Sequence, residues 1–242
     1  MNEKLVGEFV RTLVLVLLGN GVVAGVLLKR SKAEGAGWIA ITAGWGFAVM
    51  TAVFVAIACG SPDAHLNPAV TLGMAFRSGD LTMVGSFMAA QLLGGIAGAV
   101  LVWLHYLPHW RATQDQELKL ACFSTSPAIP RFGANMLSEI IGTFVLVMAI
   151  GAIFSTKVSE SGPSAGMGPY LVGFLVWGIG LSLGGPTGYA INPARDLGPR
   201  IAHALLPIAG KGASDWGYAA IPVLGPLVGG GLAGFFIQRM HF

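Results

Sequence analysis

The sequence predicts an all-α integral membrane protein with six transmembrane helices and two half-helices in an inverted repeat. Three observations point there. Hydrophobic residues make up 54% of the 242, and charged residues only 10%, where a soluble domain carries about a quarter. Six apolar stretches approach the ~20 residues needed to cross a bilayer. The tripeptide Asn-Pro-Ala occurs twice, at 67–69 and 192–194, each time between long hydrophobic segments.

The predicted spans are 6–28, 38–59, 83–107, 134–155, 168–184 and 217–238, the fifth being short. The first is long enough to cross, so it reads as a retained helix and not as a cleaved leader. Stretches 68–76 and 193–203 are apolar but too short to span. Asn is a favoured N-cap, and proline fits the first helical turn, where its missing N–H is not needed. Asn67-Pro68-Ala69 and Asn192-Pro193-Ala194 therefore each start a half-helix. Irregular backbone at membrane depth is tolerated only where it is buried in protein or lines a wet cavity. The loops near 60–67 and 184–192 must then face such a cavity. Paired broken helices mark two repeats that meet near the bilayer midplane.

The halves match beyond the tripeptides. Gly7-Glu8-Phe9 opens the first span and Ser138-Glu139-Ile140 the fourth, while stretch 65–70 matches 189–195 in outline with one more residue, Ile191. Residues 1–242 read as one domain: repeat one over 1–107, a linker over 108–133, and repeat two over 134–242. Three spans per half is an odd number, so the halves have opposite topology and the half-helices enter from opposite faces. The linker carries Arg111, Asp115, Glu117, Lys119 and Arg131 and reads as a surface connection. Gly94 with Gly98, and Gly225 with Gly229, have the small-xxx-small spacing of close helix crossings.

Several function classes drop out. The net charge of +3 is small and scattered, which argues against nucleic acid. Cys59 and Cys122 fit neither a disulfide framework nor a metal site, and His105, His109 and His203 show no ligand-like grouping. No phosphate-binding loop or nucleophile–base pair stands out, so no catalysis, cofactor or metal is expected. Basic residues count Lys4, Arg11, Arg77, Lys157 and Arg239 on the side of the termini. The other side has Lys29, Arg30, Lys32, Arg111, Lys119, Arg131 and Lys211. Taken alone, this count puts the second side in the cytoplasm.

Charged residues within apolar segments are functional candidates, because burying a charge in a membrane is costly. Arg195 follows the second tripeptide directly. Asp196 and Arg200 are four apart and share a helix face. Glu8 and Glu139 lie near matching span starts. As proton carriers they would imply a coupled transporter. As acceptors they would hold the backbone of the loops before the half-helices.

His-Leu-Asn-Pro-Ala-Val-Thr at 65–71 and Asn-Pro-Ala-Arg-Asp at 192–196, with six spans and buried glutamates, resemble the major intrinsic protein (aquaporin) family of water and glycerol channels. The likeness covers nearly the whole chain. It implies an aquaporin-like fold in which the Asn67 and Asn192 amides project into a single-file pore. There they orient a passing oxygen, while both helix dipoles disfavour cations. It implies a constriction of Trp45, Gly180, Tyr189 and Arg195, with His65 in the vestibule and Glu8, Glu139, Asp196 and Arg200 as loop supports. Glycine at 180 would leave room where water-selective members carry histidine. Asp196, Arg200 and Pro222 match the glycerol-conducting branch, while Tyr189 departs from its usual phenylalanine. The resemblance thus implies a passive channel for glycerol and similar small uncharged solutes, with some water. It also implies a homotetramer and an orientation opposite to the charge count, while the short termini and the lack of a cleavable leader suit a bacterial inner membrane. A mainly water-selective pore and a proton-coupled carrier are the alternatives.

Overall fold

The computed structural model describes residues 3–61 and 65–242 and contains ten helices among them. In repeat one these are α1 (Glu3–Leu27), α2 (Gly37–Ala58), the half-helix α3 (Pro68–Ser78) and α4 (Val84–His105). Repeat two has α7 (Phe132–Ile153), α8 (Gly168–Leu183), the half-helix α9 (Pro193–Leu205) and α10 (Ala220–Met240). Between them lie α5 (Leu107–Ala112) and α6 (Gln116–Ala121). Five helices are long and apolar enough to cross a membrane, and the 16-residue α8 is the short sixth. Predicted span and half-helix boundaries fall within about three residues of these. The segment 62–64 before the first Asn-Pro-Ala lies outside the described residues.

Each half-helix packs on the opposite repeat, α3 against α10 and α9 against α4. Glycines make this approach possible, and they sit in register. A Cβ on Gly94 would strike the carbonyl of Phe9, and one on Gly229 the carbonyl of Ile140. One residue on, a Cβ on Gly95 would lie 2.6 Å from the Ala194 carbonyl oxygen, and one on Gly230 would strike that of Ala69. The glycine pairs 94–95 and 229–230 thus face two neighbours at once: the glutamate-bearing helix of their own repeat and the half-helix of the other. Ala69 and Ala194 each hold the third place of their Asn-Pro-Ala, so these contacts fix where the half-helices begin.

The connection between the repeats differs from the expected surface linker. Trp110, Cys122 and Phe123 are buried with Val16, Ala24 and Leu28 of the first repeat in a second apolar cluster. Trp110 donates its indole N–H to the Trp103 carbonyl at 2.9 Å, and Asn20 donates to the Phe123 carbonyl at 3.1 Å. The apolar residues in this stretch are separated by charged ones, which hid the buried face.

The charge count changes as well. Arg11 is fully buried and ion-paired to Glu8, so it marks no membrane surface. Lys119 donates to the carbonyls of Ala209 and Gly210. Lys211 donates to those of His203, Ala204 and Leu206, which caps the C-terminal end of α9. Without these three, the bias between the faces nearly vanishes.

Candidate functional site

Asn67 and Asn192 cap their half-helices with extended backbone, at φ −155° in both. The Asn67 Oδ1 accepts the Ala69 N–H at 2.8 Å. The Asn192 Oδ1 accepts those of Ala194 and Arg195 at 3.0 and 3.2 Å. The amide nitrogens reach across the pseudo-symmetry. Asn67 Nδ2 donates to the Ile191 carbonyl at 2.7 Å, and Asn192 Nδ2 to the Leu66 carbonyl at 2.9 Å. A primary amide has two N–H donors. One on each asparagine is spent on this exchange, and both side chains line the central cavity.

The residue before each asparagine is held in the left-handed region, Leu66 at φ 57° and Ile191 at φ 42°. That conformation is costly for a branched side chain. Buried carboxylates hold it in place. Glu8 Oε2 accepts the Leu66 N–H at 3.2 Å. Glu139 accepts the N–H groups of Ala190 and Ile191 at 2.9 and 2.8 Å. Each strained residue is therefore gripped at its N–H by a glutamate of its own repeat and at its carbonyl by an asparagine of the other. Glu8 also pairs with Arg11 and accepts from Gln91 at 2.9 Å. Gln91 donates to Thr71 as well, and Arg11 to the Ser61 carbonyl.

A cavity of about 810 Å³ opens on the face that carries the start of α1. Its mouth carries Lys4, Arg77 and Asp80. The backbone N–H and then the hydroxyl of Thr82 hold the Asp80 carboxyl below its ordinary range. The cavity is lined by His65, which packs edge-on against Phe87, by Asn67 and Asn192, and by Trp45, Tyr189 and Arg195. Much of its wall is aliphatic, including Val49, Val53, Leu146 and Val176.

Trp45, Tyr189 and Arg195 converge on the cavity from α2, the loop before α9, and α9 itself. Trp45 is buried, with its ring against Gly19. The Arg195 guanidinium carbon lies 4.2 Å from the centre of the Trp45 ring, a cation–π contact. Tyr189 lies along α8, where a Cβ on Gly180 would come within 2.7 Å of its Cζ and one on Gly184 within 2.6 Å of its Cδ1. The space that Gly180 leaves is therefore filled by the tyrosine ring and not left open, as expected from the glycine alone.

Asp196 and Arg200 are fully buried and paired at 2.9 Å. Asp196 accepts from the Thr125 N–H and hydroxyl, while Arg200 donates to the carbonyls of Thr125, Ser214 and Asp215. The pair ties α9 to the loops at 125 and 214–215.

The sequence reading missed Arg11, Gln91 and Trp38. Arg11 carried a visible signal, a charge inside an apolar span. Trp38 stands seven positions before Trp45 with Thr42 between, the spacing of one helix face.

Two inverted halves of membrane-crossing helices, with a cavity running to two facing half-helix starts, define a membrane channel. The sequence profile described as major intrinsic protein matches residues 1–237, and the chain belongs to that family. Its members are channels and transporters, not enzymes. The chain is 56% identical over 230 residues to glycerol uptake facilitator protein 3 of Lactiplantibacillus plantarum, covering 95% of this chain and 93% of that one. It is 54% identical over 224 residues to a probable glycerol uptake facilitator protein of Thermotoga maritima, covering 92% and 93%. Among solved structures it resembles the aquaglyceroporin from Plasmodium falciparum, with TM-score 0.85 and 27% identity over 99% of this chain and 96% of that one.

Proposed function

We propose that this protein is a passive channel for glycerol and other small uncharged solutes, with some water, in a bacterial plasma membrane. One observation supports this most. The cavity lining brings together two aromatic side chains, Trp45 and Tyr189, and the Arg195 guanidinium. A polyol has a carbon backbone for the first and hydroxyls for the second. Arg195 takes no ion pair or side-chain hydrogen bond among the described residues, so its donors are free for solute oxygens. The uncommitted N–H of Asn67 and of Asn192 would then receive the solute at the midplane, where two positive helix ends also repel cations. His65 would line the inner vestibule, and Glu8, Glu139, Asp196 and Arg200 would hold the loops and α9. The relatives named as glycerol uptake facilitators favour the same solute.

Stopped-flow light scattering on proteoliposomes tests this reading. A glycerol gradient should give shrinkage followed by fast re-swelling, while an impermeant osmolyte should give shrinkage alone. Shrinkage in both without re-swelling would favour the second reading, a mainly water-conducting pore, to which the Tyr189 ring over Gly180 lends some support. Gly180→His should push the Tyr189 ring toward the lumen, because even its Cβ collides there. Glycerol flux should fall about tenfold or more, the scale at which a pocket discriminates by size, with water much less affected. Unchanged glycerol flux would sink the slot. We also propose one pore per subunit in a homotetramer, which native mass spectrometry can test.

A further inference from the structure

We propose that Trp38 is a positioning residue that sets the size limit of the constriction by locking the Tyr189 ring. This rests on the reading of Trp45, Tyr189 and Arg195 as the narrow point. Trp38 is the second residue of α2 and is 40% exposed on the outer side. Its indole N–H crosses to α8 and donates to the Gly180 carbonyl at 3.1 Å. Its ring meets Tyr189 edge to face, with centroids 5.8 Å apart and planes at 79°. A Cβ on Gly184 would lie 2.8 Å from Trp38 Cζ2 and 2.6 Å from Tyr189 Cδ1, so the two rings share the space above that glycine.

Tyr189 needs such a lock. Its backbone sits at φ 38°, in the left-handed region, and its buried hydroxyl has no hydrogen-bond partner among the described residues. Gly180 and Gly184 form a groove along the ring. Thr42, one turn along α2, meets the hydroxyl end at Gly180. Trp38 meets the ring edge to face above Gly184. Trp38, Thr42 and Trp45 form one stripe on α2, so a single helix face addresses both Tyr189 and Arg195. With Trp38 removed, the ring can swing outward and the opening widens. Solutes longer than glycerol should gain most, and water least.

The experiment measures permeability to water, urea, glycerol, erythritol and xylitol for the wild type, Trp38→Ala and Trp38→Phe in proteoliposomes, normalised to folded protein. In Trp38→Ala the xylitol-to-glycerol ratio should rise about tenfold or more, the lower end of what a pocket achieves by discriminating one methylene. Water permeability should stay within about twofold. Trp38→Phe keeps the ring edge against Tyr189 and should stay near the wild-type ratio. If alanine yields no folded protein, Trp38→Leu carries the same test, since it fills space without an aromatic edge. A ratio unchanged in the alanine or leucine variant, with glycerol still conducted, overturns the lock. A wild type that conducts water and no glycerol would instead overturn the proposed function itself.

Discussion

Replacing Glu139 by alanine is expected to eliminate folded, conducting protein. Its two carboxylate oxygens accept the N–H groups of Ala190 and Ile191, both buried. Each buried donor that loses its acceptor costs about 1–3 kcal/mol. Ile191 is also held at φ 42°, so losing its restraint frees it to leave a costly conformation. The loss, about 2–6 kcal/mol before strain is counted, is comparable with the whole stability of many proteins. Glu139→Gln should be milder but still damaging, since its amide offers one acceptor oxygen and turns an NH2 toward the other N–H.

The same pair of variants separates scaffold from proton carrier. A proton carrier would make wild-type flux follow a pH gradient, and Glu139→Gln would fold normally while losing that coupling. The scaffold reading expects no coupling in the wild type and a folding defect in both variants. Size-exclusion chromatography gives the folded fraction, and scattering gives flux per folded channel. Recovery of Glu139→Ala as a folded, conducting protein would sink the scaffold role. Glu8 is less simple to test. Removing it would also take from the buried Arg11 the carboxylate it pairs with, which is itself destabilising.

Much of this architecture was legible in the sequence because bilayer thickness fixes span length and Asn-Pro marks a helix start. The two tripeptides and the matched glutamates also made the inverted repeat visible. What stayed hidden was the consequence of folding at particular residues. Arg11 looked like a flanking charge, because only the structure shows Glu8 and the Ser61 carbonyl converging on it. Gly180 suggested open space, because the ring that fills it comes from nine positions away and depends on the left-handed turn at Tyr189. Asp196 and Arg200 read as a helix-face pair supporting a loop, and their partners lie in loops at 125 and 214–215. The Ser61 carbonyl lies 50 positions from Arg11 and Thr125 lies 71 from Asp196, separations about which periodicity carries no information.

Substitution at the paired glycines should be nearly as severe as loss of Glu139, and it tests whether the half-helix starts are set by close packing. A Cβ at Gly230 strikes the Ala69 carbonyl, and one at Gly95 lies 2.6 Å from that of Ala194. The opposing atoms are backbone, so no side chain can rotate away. Overpacking of this kind costs about 1–3 kcal/mol per added methyl. Gly230→Leu and Gly95→Leu should give no folded protein. Gly230→Ala should fold less stably and lose flux per folded channel, because the shift is passed to Asn67, two residues before Ala69. Gly178 supplies the control. It lies inside α8 with open space where its Cβ would be, so Gly178→Ala should be neutral or stabilise by up to about 1 kcal/mol through helix propensity. If Gly230→Ala behaves like Gly178→Ala in both thermal stability and flux, the half-helices are not positioned by these glycines. The symmetric exchange between Asn67 and Ile191 and between Asn192 and Leu66 would then have to hold them alone.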